Sequence, residues 1–493
     1  MRLAHGLIFS FLIAILFVGF IACGGGGSGG DADPQFDYLR PEVTVAVSQA
    51  VSSPGDTVTI TVTTDDDLGV VSTSLTVDGQ PVALNGAGTA QYTQATAGIC
   101  EAVASATDEY GNEGQTAVTF RFLDSPDGVV PTVSIDSPAD YSTITSTVSI
   151  TGSAMDAFLV RYDLEYSIAG EWNYRLFASG TSSLANTVLG TLDPTDLRDG
   201  VYDIRLTAED AGGQTASATV TLLIDGDADP AVYMTNHNDL TLPGMIVAGA
   251  PLTVTRTHDS RLWTEGDFGL GWRWQARDIQ LTESGAMYNG WSLYDTGNWL
   301  LTYAIDATWP HFATVNMGGG EAMKFNMGLS PNSWTPPGGV IQTSAVFSPA
   351  AGTVSLVPLD GEASSLLLLP ASPGPTELYT FSFDYYDSDR YRFTDEDDIE
   401  YTVHQSQGVQ SIMDTTAATI NFGPTQAIHS SGDYIDLVRD ADGRITQVSD
   451  QSGNTFTYDY DFYGCLVRVE DQDLNATVYR YGPGHELIEA IEE

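Results

Sequence analysis

The sequence predicts an all-β protein, and three observations carry that expectation. Its 50 Gly and 22 Pro, set among many Thr and Val, favour short strands and tight turns over long helices. Apolar and polar residues alternate through many short segments, as in TVTITVTT, which is the period of a strand with one buried face. Near the carboxyl end Asp-x-x-Gly returns at near-regular intervals, the pattern of a repeated reverse turn. With 493 residues, 42% of them hydrophobic, the chain is long enough for three or four packed domains. Eighteen basic against 65 acidic residues give a net charge of −47, which repels phosphate backbones and excludes nucleic acid as a partner. Lys324 is the lone lysine, and the acidic excess reads either as adaptation to salt or divalent cations or as compositional drift.

The amino terminus places Arg2 ahead of an apolar run from Leu7 to Ile21, then Ala22 and Cys23. As a helix that run rises only ~22 Å, short of a ~30 Å hydrocarbon core, so residues 1–22 read as a cleaved signal. Phe20, Ile21, Ala22 and Cys23 resemble a bacterial lipoprotein signal, which implies lipidation of Cys23, a membrane partner through the lipid, and a cell-envelope location. An ordinary secretory signal and an uncleaved membrane helix are the alternatives. Gly24 stands where an Asp often retains lipoproteins at the inner membrane, so the resemblance implies the outer one. Residues 23–40, opening GGGGSGGDADP, read as a flexible tether. Cys100 and Cys465 fall in separate domains, where they are expected to fill buried gaps.

Residues 41–124 and 129–226 share one grammar. Val58, Ile60 and Val62 alternate in the first, and Tyr202, Ile204, Leu206 and Ala208 in the second. Each ends on a turn-bearing hairpin, ATDEYGNEGQ or AEDAGGQ, and both resemble bacterial immunoglobulin-like surface domains, which act as spacers. Residues 231–400 form an aromatic-rich β region holding seven of the eight Trp. Trp272 and Trp274 read either as glycan-stacking rings or as core.

The last region, 401–493, is the repeat. Asp440 with Gly443, Asp450 with Gly453, and Asp461 with Gly464 fit the first and fourth positions of a type I turn, punctuating a meander. Between turns Phe456, Tyr458 and Tyr460 share one face, as do Tyr479 and Tyr481. In RITQV the apolar Ile445 and Val448 are three apart, which a β-bulge would reconcile. These elements resemble the Rhs or YD-repeat family, through Gly-Arg-Ile, Asp-x-x-Gly-Asn and Tyr-x-Tyr-Asp. A weaker unit precedes them at Gly408, Ile412 and Asp414, and PLTVTRTHDSRLWTEGDFGLGWRW resembles the family's opening segment, with His258 where Tyr is usual and Cys465 where Asn is usual. The resemblance covers Pro251 to Glu493 and implies a partial strand-built spiral shell. It also implies a longer reading frame or a partner chain that completes the repeat sheet.

No catalytic constellation is legible. The seven His are scattered, Cys-x-x-Cys and Gly-x-Ser-x-Gly are absent, and Asp295-Thr296-Gly297 has no second copy to share a proton. No cofactor is certain. Calcium is the one ligand with an argument, from Asp225, Asp227 and Asp229 alternating at a domain junction, with turn-capping as the alternative. The expectation is a non-enzyme: an envelope lipoprotein displaying a repeat sheet for adhesion to a glycan or surface protein. The alternatives are the amino-terminal section of a toxin-enclosing shell and a carbohydrate-active enzyme.

Overall fold

The computed structural model describes residues 37–124, 129–226, 234–295, 303–318, 320, 322–334, 341–359, 363–370 and 376–492. Their regular structure is almost entirely β, with two short 3-10 turns at Pro194–Asp196 and Gln275–Arg277. The first eight strands build a sandwich. Glu42–Val47, Thr57–Asp65 and Thr89–Thr93 form one sheet; Val51–Ser52, Glu113–Phe122, Gly98–Asp108, Val70–Val77 and Gln80–Pro81 form the other in that order. Alternation puts Val58, Ile60, Val62, Phe120 and Phe122 in the core between them. The next eight strands, from Thr132–Ser137 to Thr215–Ile224, repeat the same strand order, including the parallel pairing of a two-residue strand with the last strand. This is the immunoglobulin-like arrangement, and both copies have it.

The closing hairpins use one turn. Asp108 Oδ1 accepts from the amides of Tyr110 and Asn112, and Asp210 Oδ1 from those of Gly212 and Gln214. Gly111 and Gly213 then take the left-handed conformation at φ 84° and 79°.

The same turn builds the largest sheet, an antiparallel meander of twelve strands among the described residues, from Ser355–Pro358 through Arg390–Thr394 to Leu487–Glu492. Asp440, Asp450 and Asp461 each accept two amide hydrogens on Oδ1, and Gly443, Gly453 and Gly464 follow at positive φ. Asp395, Asp414 and Asp471 make the same bonds, with Asp398, Ala417 and Leu474 in the left-handed place. The bulge in RITQV is present, since the register slips between Val438 and Arg439 opposite Ile445 and Gln447. It therefore buries both Ile445 and Val448. An equivalent slip recurs at Tyr460 opposite Leu466 and at Tyr481 opposite Leu487. A tyrosine latch accompanies it: Tyr460 donates to Ile445 O at 2.5 Å, and Tyr481 to Leu466 O at 2.8 Å, each 15 residues back.

Three sequence expectations need correction. The meander begins upstream of residue 401, because Tyr391 and Phe393 already alternate inward on its second strand. The tether ends before residue 40. Arg40 is buried, bonded by Nε and Nη2 to Asp461 at 2.8 and 2.5 Å and by Nη1 to Gly482 O at 2.9 Å. Nor are the sandwiches free spacers. From Tyr38 onward the chain is one compact unit: Tyr463 donates to Pro41 O at 3.1 Å, Arg480 to Asn112 at 3.1 Å, and Arg198 to Asp278.

Candidate functional site

A groove runs between the second sandwich and the aromatic region. Its near wall is the tip 169–174, joining strands Leu159–Ile168 and Arg175–Gly180, where the Glu171 amide closes on Ile168 O at 3.1 Å. That turn holds Trp172 at φ 57° with 76% of its surface open to solvent. The far wall follows strand Ile279–Glu283, and the hairpin around Gln405–Ser406 of the meander closes the side. The groove has two lobes, of about 680 and 720 Å³, that share Ile168, Gly170, Glu171, Gln405 and Ser406.

The smaller lobe is aromatic and acidic. Tyr141 stacks on Trp309 at 5.7 Å and 8°, Trp309 on His311 at 3.7 Å, and His311 on Trp291 at 4.3 Å. Glycine lets Trp309 sit there, because a Cβ on Gly290 would lie 1.9 Å from the indole nitrogen. Burial pushes the Glu283 carboxyl up to about 8, outweighing the bond donated by the Tyr391 hydroxyl. Burial also raises Asp203, despite a 2.7 Å bond from the Thr221 hydroxyl.

The larger lobe is a mixed-charge surface, with Glu171, Glu265, Asp267, Asp278 and Asp442 set among its arginines. Arg198, Arg273, Arg277 and Arg439 line it. Arg198 spans both oxygens of Asp278 at 2.8 and 2.7 Å and reaches Asp259 at 2.6 Å. Burial alone would depress this guanidinium, but the two carboxylates hold it up. Because Arg198 belongs to the second sandwich and both acids to the aromatic region, the fully desolvated cluster fixes the groove's walls against each other.

The sequence-predicted site residues are distributed unevenly. Trp272 and Trp274 are fully buried, and this corrects the stacking assignment. Both point inward from strand Trp272–Trp274, with the Trp272 indole donating to Tyr481 Oη at 2.8 Å and that of Trp274 to Thr253 O at 3.2 Å. Rings with no open face cannot stack on a ligand. Asp225 follows the last strand of the second sandwich, its amide bonded to Ile144 O at 3.0 Å, while Asp227, Asp229 and Cys23 lie outside the described residues. The structural turn residues Asp440 to Gly464 act as expected. Cys100 and Cys465 are buried free thiols, and burial pushes each up to about 12. Sequence reasoning missed Trp172, the one tryptophan outside the aromatic region, whose signal was a lone large ring in the polar turn AGEWNY.

The strand order thus defines an all-β protein with immunoglobulin-like sandwiches. No family model matches the chain, and no curated protein matches it. Among solved structures it is similar to the fibronectin(III)-like modules of Clostridium thermocellum CbhA, at 16% identity over 37% of this chain and 95% of that one, with a TM-score of 0.17. Titin Ig tandem domains A164-A165 match at 12% identity over 39% of this chain and all of that one, with a TM-score of 0.15. The FN1-FN3 domains of chicken CNTN1 match at 10% identity over 62% of this chain and 97% of that one, with a TM-score of 0.15. Scores this low carry no argument, and the sandwich assignment stands on strand order alone.

Proposed function

We propose that this chain is a non-catalytic cell-envelope protein of the Rhs or YD-repeat type, lipid-anchored at Cys23, that holds a surface glycan in the groove beside its second sandwich. The carrying observation is Trp172, an indole 76% exposed at the lip of a groove that the Tyr141–Trp309 stack also lines. Large rings left open to water favour a ligand with apolar faces and polar edges, which is what a sugar ring offers. The bulge, returning at Arg439, Tyr460 and Tyr481, and the tyrosine latch at the last two support the repeat-family reading. Outer-membrane anchoring rests on the amino-terminal sequence. A glycan array probed with the mature chain tests the groove: Trp172→Ala should abolish whatever binding the wild type has. Binding that survives both Trp172→Ala and Trp309→Ala would remove the groove from consideration. Palmitate labelling lost in Cys23→Ser tests the anchor.

A second reading, glycoside hydrolysis, is favoured by one observation. Glu283, held protonated at neutral pH in the lobe that Asp203 also lines, has the property of a general acid. Release of reducing ends that disappears in Glu283→Gln would establish it and displace the non-catalytic reading.

A further inference from the structure

The strap that leads into the first sandwich, residues 38–41, is pinned to the repeat sheet through one guanidinium. Besides its bonds to Asp461 and Gly482 O, Arg40 turns Nη2 to Cys465 Sγ and to His485 Nδ1, each at 3.3 Å. A guanidinium only donates, so Nδ1 of His485 holds a lone pair and the ring is neutral with its proton on Nε2. Tyr463 packs on both partners, its ring centre 4.8 Å from the Arg40 guanidinium and 5.1 Å from the imidazole. Its hydroxyl crosses to the strap, donating to Pro41 O and accepting from the Val43 amide at 3.3 Å.

A proton undoes this contact. Added at Nδ1, it sets two N–H groups face to face and two cations side by side where the neutral ring had offered an acceptor. Burial and the Arg40 charge hold the imidazole below the usual histidine range, and Arg175 of the second sandwich acts in the same direction, while Asp461 and Glu486 pull the other way. Asp461 spends its oxygens on Arg40 and on the amides of Tyr463 and Cys465. Among the described residues the ring's own polar contacts are to Arg40 and, at 3.9 Å, to the Cys465 sulfur, so neither carboxylate caps it.

The seated ring takes a proton less readily than a free one, so protons favour unseating. The contact is intact above the ordinary histidine value of 6.5 and weakens as the pH falls below it, levelling off once the seated ring is itself charged. We propose that His485 makes the seating of residues 38–41 on the repeat sheet acid-sensitive, by withdrawing its acceptor from Arg40 when protonated.

Native-state hydrogen exchange of the mature chain at the Val43 amide is the test, because the bond from that amide to the Tyr463 hydroxyl needs the strap in place. Corrected for intrinsic exchange, its protection should fall about two- to tenfold from pH 7 to pH 5, the worth of one hydrogen bond. His485→Gln offers Arg40 an oxygen that takes up no proton and should not show that fall. His485→Lys, charged at both pH values, should be as poorly protected at pH 7 as the wild type is at pH 5. A fall of equal size in wild type and His485→Gln overturns the proposal, and so does His485→Lys protection equal to that of the wild type at pH 7. Should His485→Lys not fold, the comparison of wild type with His485→Gln decides alone.

Discussion

Asp450 and Asp461 cap the same turn and differ in what their second oxygen meets, which makes them a matched pair for measuring one buried charge. Asp450 gives Oδ2 to the side chain of Asn454 at 2.6 Å, four residues on; Asp461 gives it to Arg40, 421 residues away, in a contact with both side chains almost wholly shielded. Asp461→Asn keeps an oxygen for the amides of Tyr463 and Cys465 and removes only the charge. It leaves the Arg40 guanidinium buried with no carboxylate, which costs about 3–5 kcal/mol. Asp450→Asn should cost less than about 1 kcal/mol, since an amide can serve both of its turn bonds. In an Arg40→Met background Asp461→Asn should cost about as little, because the stranded charge is gone. Native-state hydrogen exchange at Cys465 and Tyr463 reads the local opening free energy without requiring the whole chain to unfold in one step. Equal destabilisation by Asp461→Asn and Asp450→Asn, or no recovery with Arg40→Met, would refute the reasoning.

Three further outcomes follow from the same structure. Leu474→Gly should raise the melting temperature by the equivalent of about 0.5–1 kcal/mol in differential scanning calorimetry, because this exposed leucine sits at φ 67° without the freedom of glycine. Tyr460→Phe should cost about 1 kcal/mol in denaturant titration and Tyr481→Phe about twice that, because the latter also strips the buried Trp272 indole of its acceptor. Glu283 is raised from 4.5 to about 8 by burial, so across that window the folded chain keeps a proton that the unfolded chain has released. Stability should therefore fall as pH rises from about 5 to 8, then level off. Glu283→Gln should abolish that fall, gaining at most about 4–5 kcal/mol above pH 8 in melting curves.

The local chemistry of the fold was legible and its long-range contacts were not. Asp440, Asp450 and Asp461 were readable because Gly follows each at the fourth place. Asp395, Asp414 and Asp471 build the same turn with Asp398, Ala417 and Leu474 there, because two amide bonds to the aspartate hold the loop firmly enough to carry a strained residue. Alternation showed that Trp272 and Trp274 share a face but not whether that face is covered; Tyr479 and Tyr481, more than two hundred residues later, cover Trp272, and Phe422 packs on Trp274. Apart from the lone ring of Trp172 in its polar turn, the groove left no sequence signal, since its walls come from Tyr141, Trp172, Glu283 and Gln405, brought together only by packing.

Arg40 enters the fold at two hairpin turns of the meander, those of Asp461 and Gly482, rather than at the outer end of the first sandwich. Tension applied upstream of Tyr38 would therefore be delivered straight to the repeat sheet through the Arg40 clamp, with the sandwiches bypassed as long as that clamp holds. The first yield point under stretching would be the loss of the clamp, after which the first sandwich would take up the load.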